Sequence, residues 1–167
     1  MIVDDKAVPR TDIREEAVDS AAAAALLRVY FADVASRYYG RPATDAELDA
    51  AMAEDPSDQL TPPRGAFLMA WWGDEPVGCV GLAPLTDGVL QLGRMFVVPT
   101  QRGRGLGARL LVAAEDVARE RGARAIRLNT RRDLVEAQRL YRVHGYREID
   151  AYVDEPYAEV FFEKLLR

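Results

Sequence analysis

Met95-Phe96-Val97-Val98-Pro99-Thr100-Gln101-Arg102-Gly103-Arg104-Gly105-Leu106-Gly107-Ala108 is the stretch on which the fold turns. An apolar, β-prone run meets a proline, glycines then alternate with arginines, and a segment of helical periodicity follows, giving a strand, a glycine-rich turn and a helix. Backbone N–H groups at a helix start lack intrahelical partners and point outward. Glycines let a bulky anion reach them without meeting side chains. Arg102, Arg104 and Arg109 add positive charge, so the turn reads as a phosphate site rather than a mere chain reversal.

Upstream of this stretch, Ala66 to Trp72, Val77 to Leu82 and Val89 to Val98 are apolar or β-rich runs separated by Gly73-Asp74-Glu75-Pro76 and Asp87-Gly88. They are expected to be three antiparallel strands. Trp71 and Trp72, adjacent on the first, should face opposite sides. Before them, Ser20 to Tyr39 places Leu27, Tyr30, Val34 and Tyr38 at helical spacing, with Asp19 or Ser20 as cap and Gly40 as stop. Thr44 and Glu47 form a capping box for a shorter helix that ends before Pro56. Asp55 to Arg64 holds three prolines and reads as a loop, either a lid or slack.

Downstream, Gly105 to Arg121 carries Leu106, Leu110, Ala114 and Val117 on one face and Gly122 terminates it. Ala125 to Asn129 is a short strand. Leu134 to His144 is a helix with Asp133 and Glu136 as its capping pair and Gly145 as its stop, and Tyr146 to Tyr152 and Glu159 to Leu166 are two final strands. No repeat or composition break divides the chain, so residues 1–167 are expected to form one domain. The fold class is α/β, a mostly antiparallel, twisted sheet of six or seven strands with helices on both faces.

With 49% apolar residues and plentiful charge, the composition is that of a folded soluble protein. The net charge of −5 offers no cationic excess for nucleic acid. No apolar run approaches the roughly 20 residues of a membrane helix. Met1 to Arg10 has acidic residues and no apolar core of a signal peptide, so a cytoplasmic location is expected. The single cysteine, Cys79, reads as a buried thiol, and one His with one Cys cannot supply a zinc site, so no metal is expected.

Gly103, Gly105 and Ala108 satisfy the loose dinucleotide spelling G-x-G-x-x-A, but the following strand ends in Asn129 rather than an acid. A nucleoside-triphosphate loop is excluded because no Gly-Lys-Ser or Gly-Lys-Thr follows the glycines.

The chain resembles the GNAT superfamily of N-acetyltransferases. The family's cofactor signature is Arg or Gln, two residues, Gly, one residue, then Gly or Ala, and Arg102, Gly105 and Gly107 match it. Leu140-Tyr141 and Gly145-Tyr146 look like the family's pairs after its fifth strand. The resemblance implies acetyl-CoA as acyl donor, with a wedge between the fourth and fifth strands. Arg102, Gly103, Arg104, Gly105, Leu106, Gly107 and Ala108 would wrap its pyrophosphate, Met95, Phe96 and Val97 would pair by backbone with the pantetheine arm, and Asn129 would complete the cofactor set. Tyr141 would protonate the departing thiolate. The acceptor would be an amine of a small molecule, amino acid or peptide, attacked in a ternary complex, and a homodimer through strands near the C-terminus is allowed.

Family members place a basic Glu on the fourth strand or at the end of the fifth, and here those positions hold Gln91 and Asn129. Neither amide accepts a proton usefully at neutral pH, though either can orient a water or the amine. A water chain or Glu155 is an alternative base. The absent acids also motivate a second reading, a catalytically silent acyl-CoA sensor or interaction module. His144 reads as a solvated residue at a helix end. Asp150, Asp154 and Glu155 with Tyr152 and Tyr157 read equally as an amine-binding cluster or a solvated acidic loop.

Overall fold

A computed structural model describes residues 10–167, so all of Met1 to Arg10 except Arg10 lies outside the described residues. The sequence 66–97 folds as a meander of β2 (Ala66–Trp72), β3 (Glu75–Thr86) and β4 (Val89–Val97), closed by Gly73-Asp74 and Asp87-Gly88. Gly73 and Gly88 adopt φ of 60° and 71°, the left-handed geometry that tight hairpins require. β3 runs further than the apolar pattern showed, because Pro76 and Pro84 both lie within it.

β1 (Thr11–Glu15) pairs antiparallel with β2 at one edge. This strand was not legible in the sequence. Only Ile13 is a large apolar residue in it, and an edge strand can form on backbone pairing alone. β5 (Ala125–Thr130) pairs antiparallel with β7 (Val160–Leu165), which lies between β5 and the short β6 (Arg147–Ile149). The seven strands run β1-β2-β3-β4-β5-β7-β6, and β4 with β5 is the only parallel pair among the described residues.

Two helix layers cover the sheet. α3 (Leu106–Glu120) buries Leu106, Leu110, Leu111, Ala114 and Ala118 against Leu82, Leu92, Ile126, Leu128 and Phe162. On the other face α1 (Ala21–Tyr39) packs Ala23, Leu26 and Leu27 on Phe67, Met69, Cys79 and Phe96, beside α2 (Asp45–Glu54). Trp72 joins the first cluster and Trp71 the second, as alternation along a strand demands. No described helix is long and apolar enough to cross a membrane.

Three local expectations are corrected. The buried stripe of α1 is Ala23, Leu26, Leu27 and Phe31, whereas Tyr38 is 56% exposed. The N-terminal half of α1 lies on the sheet, while the C-terminal half reaches toward β5, where Arg131 donates to the Val34 carbonyl at 2.7 Å. α4 (Val135–Val143) has no side-chain cap. Asp133 is held by Arg131 at 2.8 and 2.9 Å and Glu136 by Arg37, charge-assisted bonds stronger than a cap to a backbone N–H. The proline-rich loop is neither lid nor slack, because Leu60 is buried in the second cluster and Arg94 holds Ser57, Asp55 and the Asp55 carbonyl.

One ion pair is nearly enclosed. Glu115 on α3 is 3% exposed and accepts from Lys164 of β7 at 2.5 Å, while its second carboxylate oxygen and the Tyr146 hydroxyl are buried without partners. Removing one member strands the other charge, which costs about 3–5 kcal/mol for a fully buried pair. Lys164 keeps partial solvent access. Lys164→Met is therefore expected to destabilise by about 2 kcal/mol in denaturant unfolding, and Glu115→Leu combined with it should recover most of the loss.

Candidate active site

The site begins where β4 leaves β5. The two strands pair only at Val89, Leu90 and Gln91, opposite Ala125, Ile126 and Arg127. Beyond these, the β3–β4 register shifts between Cys79 and Gly81, and Arg94 takes a φ of 56°. Such a bulge bends its strand and adds twist, which carries Met95, Phe96 and Val97 away from β5. An arginine in the left-handed region is uncommon and needs support. Here the guanidinium lies 5.1 Å from the Phe31 ring centre and bonds the 55–57 loop, tying α1 and the loop to the bulge.

The free edge of β4 is chemically open. The Val98 N–H bonds Val77 of β3, so by alternation the N–H and C=O of Val97 face the gap. The Val97 carbonyl there receives Arg102 Nε at 2.8 Å. Arg102 also approaches Asp33 of α1 at 3.5 Å and covers the Phe96 ring.

At the end of β4 a short 3-10 turn, Pro99–Gln101, leads into the glycine turn. From Gly103 through Ala108 no backbone N–H has a partner among the described residues, and the N-terminus of α3 has no side-chain cap. Gly103 and Gly105 adopt φ of 77° and 78°, and a Cβ placed on either would meet nothing within 4 Å. Six unpaired donors at the positive end of a 15-residue helix fit a diphosphate. Leu140 of α4 lies 3.5 Å from where a Gly107 Cβ would stand, so α4 flanks the turn. The expected contribution of charge is revised. Arg109 donates to the Thr11 carbonyl of β1 at 2.9 Å, and Arg102 is turned onto β4, which leaves Arg104 as the arginine without a hydrogen-bond partner among the described residues.

On the α3 side, α4 delivers Tyr141. It is 5% exposed, tilted against Tyr146 and Phe162 at ring separations of 5.7 and 6.0 Å, and burial pushes its phenol well above the usual range. Tyr30 of α1 meets the β4 residue Phe96 edge-on at 5.9 Å. Burial raises the Tyr30 phenol also. In sequence Tyr30 is only a helix-face residue, and its helical spacing gives no sign that it meets β4 at Phe96.

On the opposite face the structure brings Gln91 and Asn129 together. Tyr152, from the connection between β6 and β7, donates to Gln91 Oε1 at 2.7 Å, and Asn129 Nδ2 reaches the same oxygen at 3.5 Å. Tyr152 packs edge-on to Phe161 at 5.2 Å, and burial raises its phenol. Of the suggested acidic cluster, Asp150, Asp154 and Glu155 are exposed, and Tyr157 meets Tyr38 edge-on at 5.0 Å instead of joining Tyr152. His144 closes α4 with Nδ1 2.9 Å from the Leu140 carbonyl.

Cys79 is fully buried, directs its Sγ at the Arg94 carbonyl 3.2 Å away, and has its thiol pushed far up by burial. A thiolate is the reactive form, so Cys79 should resist a disulfide reagent in the folded protein and react stoichiometrically once denatured. Absorbance of the released thiol product checks this. Among the described residues no group of three or more His, Cys, Asp or Glu is placed to hold a metal ion.

Comparison with known proteins agrees with this geometry. The chain is 32% identical over 140 residues to YhfO of Bacillus subtilis, an uncharacterized N-acetyltransferase, covering 81% of this chain and 88% of that one. It is 36% identical over 91 residues to YjgM of Escherichia coli, an uncharacterized N-acetyltransferase, a match that covers 53% of this chain and about half, 54%, of that relative. The fold superposes on the PaiA N-acetyltransferase of Thermoplasma acidophilum, solved in complex with coenzyme A, with a TM-score of 0.74 at 19% identity over 93% of this chain and 99% of that one. The acetyltransferase (GNAT) family model matches residues 28–146, a span that holds the bulged β4, the glycine turn and Tyr141. On that match the chain belongs to the GNAT family of acetyltransferases.

Proposed function

We propose that this chain transfers an acetyl group from acetyl-CoA directly to an amine held in the same cleft. The observation that carries the reading is the run of six unpaired N–H groups from Gly103 to Ala108, set beside a strand edge left open by the Arg94 bulge. The first would bind the diphosphate, and the second would satisfy the amides of the pantetheine arm by strand-like pairing along the Met95-Phe96-Val97 edge, where Val97 presents its N–H and C=O and those of Phe96 face β3. Arg102 would exchange the Val97 carbonyl for the arriving donor. A backbone N–H on this edge would polarise the thioester carbonyl as charge develops on its oxygen. Tyr141, kept protonated at rest by its burial, would give its proton to the leaving sulfur and recover one from the amine.

The side chain of Asn129, which reaches Gln91, would serve the acceptor side as well as the donor set. Positioning two reactants in one wedge removes most of the entropic part of the barrier, so the reaction needs no covalent enzyme species.

A silent sensor is the competing reading, favoured by the amides at Gln91 and Asn129. Release of free CoA, followed with a thiol reagent across amines, amino acids and peptide N-termini, separates the two. Turnover with at least one acceptor is expected. Tight acetyl-CoA binding with no release across the panel would establish the sensor.

A further inference from the structure

Resting on the acyltransfer reading, we infer that the acceptor is taken up and attacks as a neutral amine, so that the site serves weakly basic amines, such as the α-amino group of a peptide or amino-acid amide, in preference to alkylammonium groups. The inference comes from the hydrogen-bonded set Gln91, Asn129 and Tyr152 at the crotch of the wedge.

Gln91 is the last residue of β4 paired to β5, and its neighbours Leu90 and Leu92 face α3. Its own side chain therefore projects on the opposite face, as does that of Asn129, while Tyr141 enters from the α3 side. The acceptor side of the crotch is thus lined by two amides and a phenol. Gln91 Oε1 is taken by two donors, Tyr152 Oη at 2.7 Å and Asn129 Nδ2 at 3.5 Å. What remains to meet an incoming amine is the Gln91 amide N–H pair as donor, and the Asn129 carbonyl and the Tyr152 oxygen as acceptors. These groups suit an uncharged amine, which both donates and accepts. They include no anion to hold an ammonium and no group that takes up its proton.

The charged neighbours do not change this. Arg127 of β5 lies 5.7 Å from the Tyr152 ring and is paired at 2.6 Å with Glu163 of β7. Glu155, in the connection that carries Tyr152, acts on that phenol only through its charge and is exposed. Tyr152 has its proton committed to Gln91, and burial, the largest influence on its phenol, disfavours loss of that proton, while the Asn129 side chain and the Arg127 charge offset burial only in part.

The proton count closes for a neutral acceptor alone. The amine nitrogen forms a bond to the acyl carbon, the carbon–sulfur bond breaks, and the nitrogen loses one proton while the sulfur gains one by way of Tyr141. An ammonium carries one proton more, which has to be removed before attack. At pH 7 a peptide α-amine of ordinary pKa about 7.8 is roughly a tenth neutral, and a lysine-type amine of about 10.4 is about 0.04% neutral. The ratio of neutral fractions is a few hundredfold, of which the greater nucleophilicity of the stronger base recovers part.

The test is the pH dependence of kcat/KM for the wild-type chain with two acceptors of similar size, an amino-acid amide and a primary alkylamine. Each profile should rise tenfold per pH unit and level off at the pKa of that acceptor, measured separately by titration. Gln91→Glu places a carboxylate where two donors already point. It should bring both profiles to a common plateau and raise the alkylamine rate at pH 7 at least about tenfold. Wild-type profiles that level off at one shared pH would report a base in the protein and overturn the inference while leaving acyltransfer intact. No CoA release from either acceptor or from any other member of the amine panel, with acetyl-CoA still bound by calorimetry, would overturn the acyltransfer reading itself.

Discussion

Tyr141→Phe is expected to lower kcat by roughly two to three orders of magnitude while leaving acetyl-CoA affinity within about twofold. The ring is held by Tyr146 and Phe162 in the core, so phenylalanine keeps the packing. No described residue bonds the Tyr141 hydroxyl, so its removal breaks no protein hydrogen bond and should not lower stability. The hydroxyl matters only when sulfur becomes a thiolate in a buried, low-dielectric place, where a single donor is worth far more than in water. Stopped-flow release of CoA measures the rate, and calorimetry measures binding. A variant at wild-type rate would remove Tyr141 from the reaction.

Gly105→Val is expected to weaken acetyl-CoA binding by about a hundredfold, some 2.7 kcal/mol. Gly105 caps α3 at a φ of 78°, and a β-branched residue is a genuine outlier there. A Cβ at this position meets no protein atom within 4 Å, so the fold has room for the side chain. The loss would come from the altered turn and from the methyl groups standing where phosphate oxygens approach the N–H groups. Calorimetric titration with acetyl-CoA checks the value, and unchanged affinity would refute the diphosphate assignment.

Much of the candidate site is legible in the sequence because glycine chemistry is local. Gly103, Gly105, Gly122 and Gly145 each have the positive φ that a turn or helix stop demands, and no distant residue decides that. The hairpins at Gly73 and Gly88 are of the same kind. What could not be read depends on partners far along the chain. Asp133 and Glu136 spell a capping pair, yet Arg131 and Arg37 take them, the latter from 99 residues away. The apolar residues of α1 surround the helix, so periodicity alone did not choose Phe31 over Tyr38. Arg94 gave no signal at all, since a surface arginine and the support of a strand bulge look alike in sequence. In sequence Gln91 and Asn129 stand out for the acids they replace, and Tyr152 reads equally as part of an amine-binding cluster with Asp150, Asp154, Glu155 and Tyr157 or as part of a solvated acidic loop. Only the fold brings all three to one oxygen.

The strand order also governs how the molecule comes into being. β2, β3 and β4 follow one another through two-residue turns, whereas β5 acquires its second neighbour only when Val160–Leu165 inserts between it and β6. Hairpins between adjacent segments close quickly and distant pairings slowly. One half-sheet therefore forms early, the other late, and three residue pairs join them. The proposed donor cleft is the seam between these halves, and a chain arrested before Phe161 and Phe162 take their places would present the glycine turn with no opposing jaw.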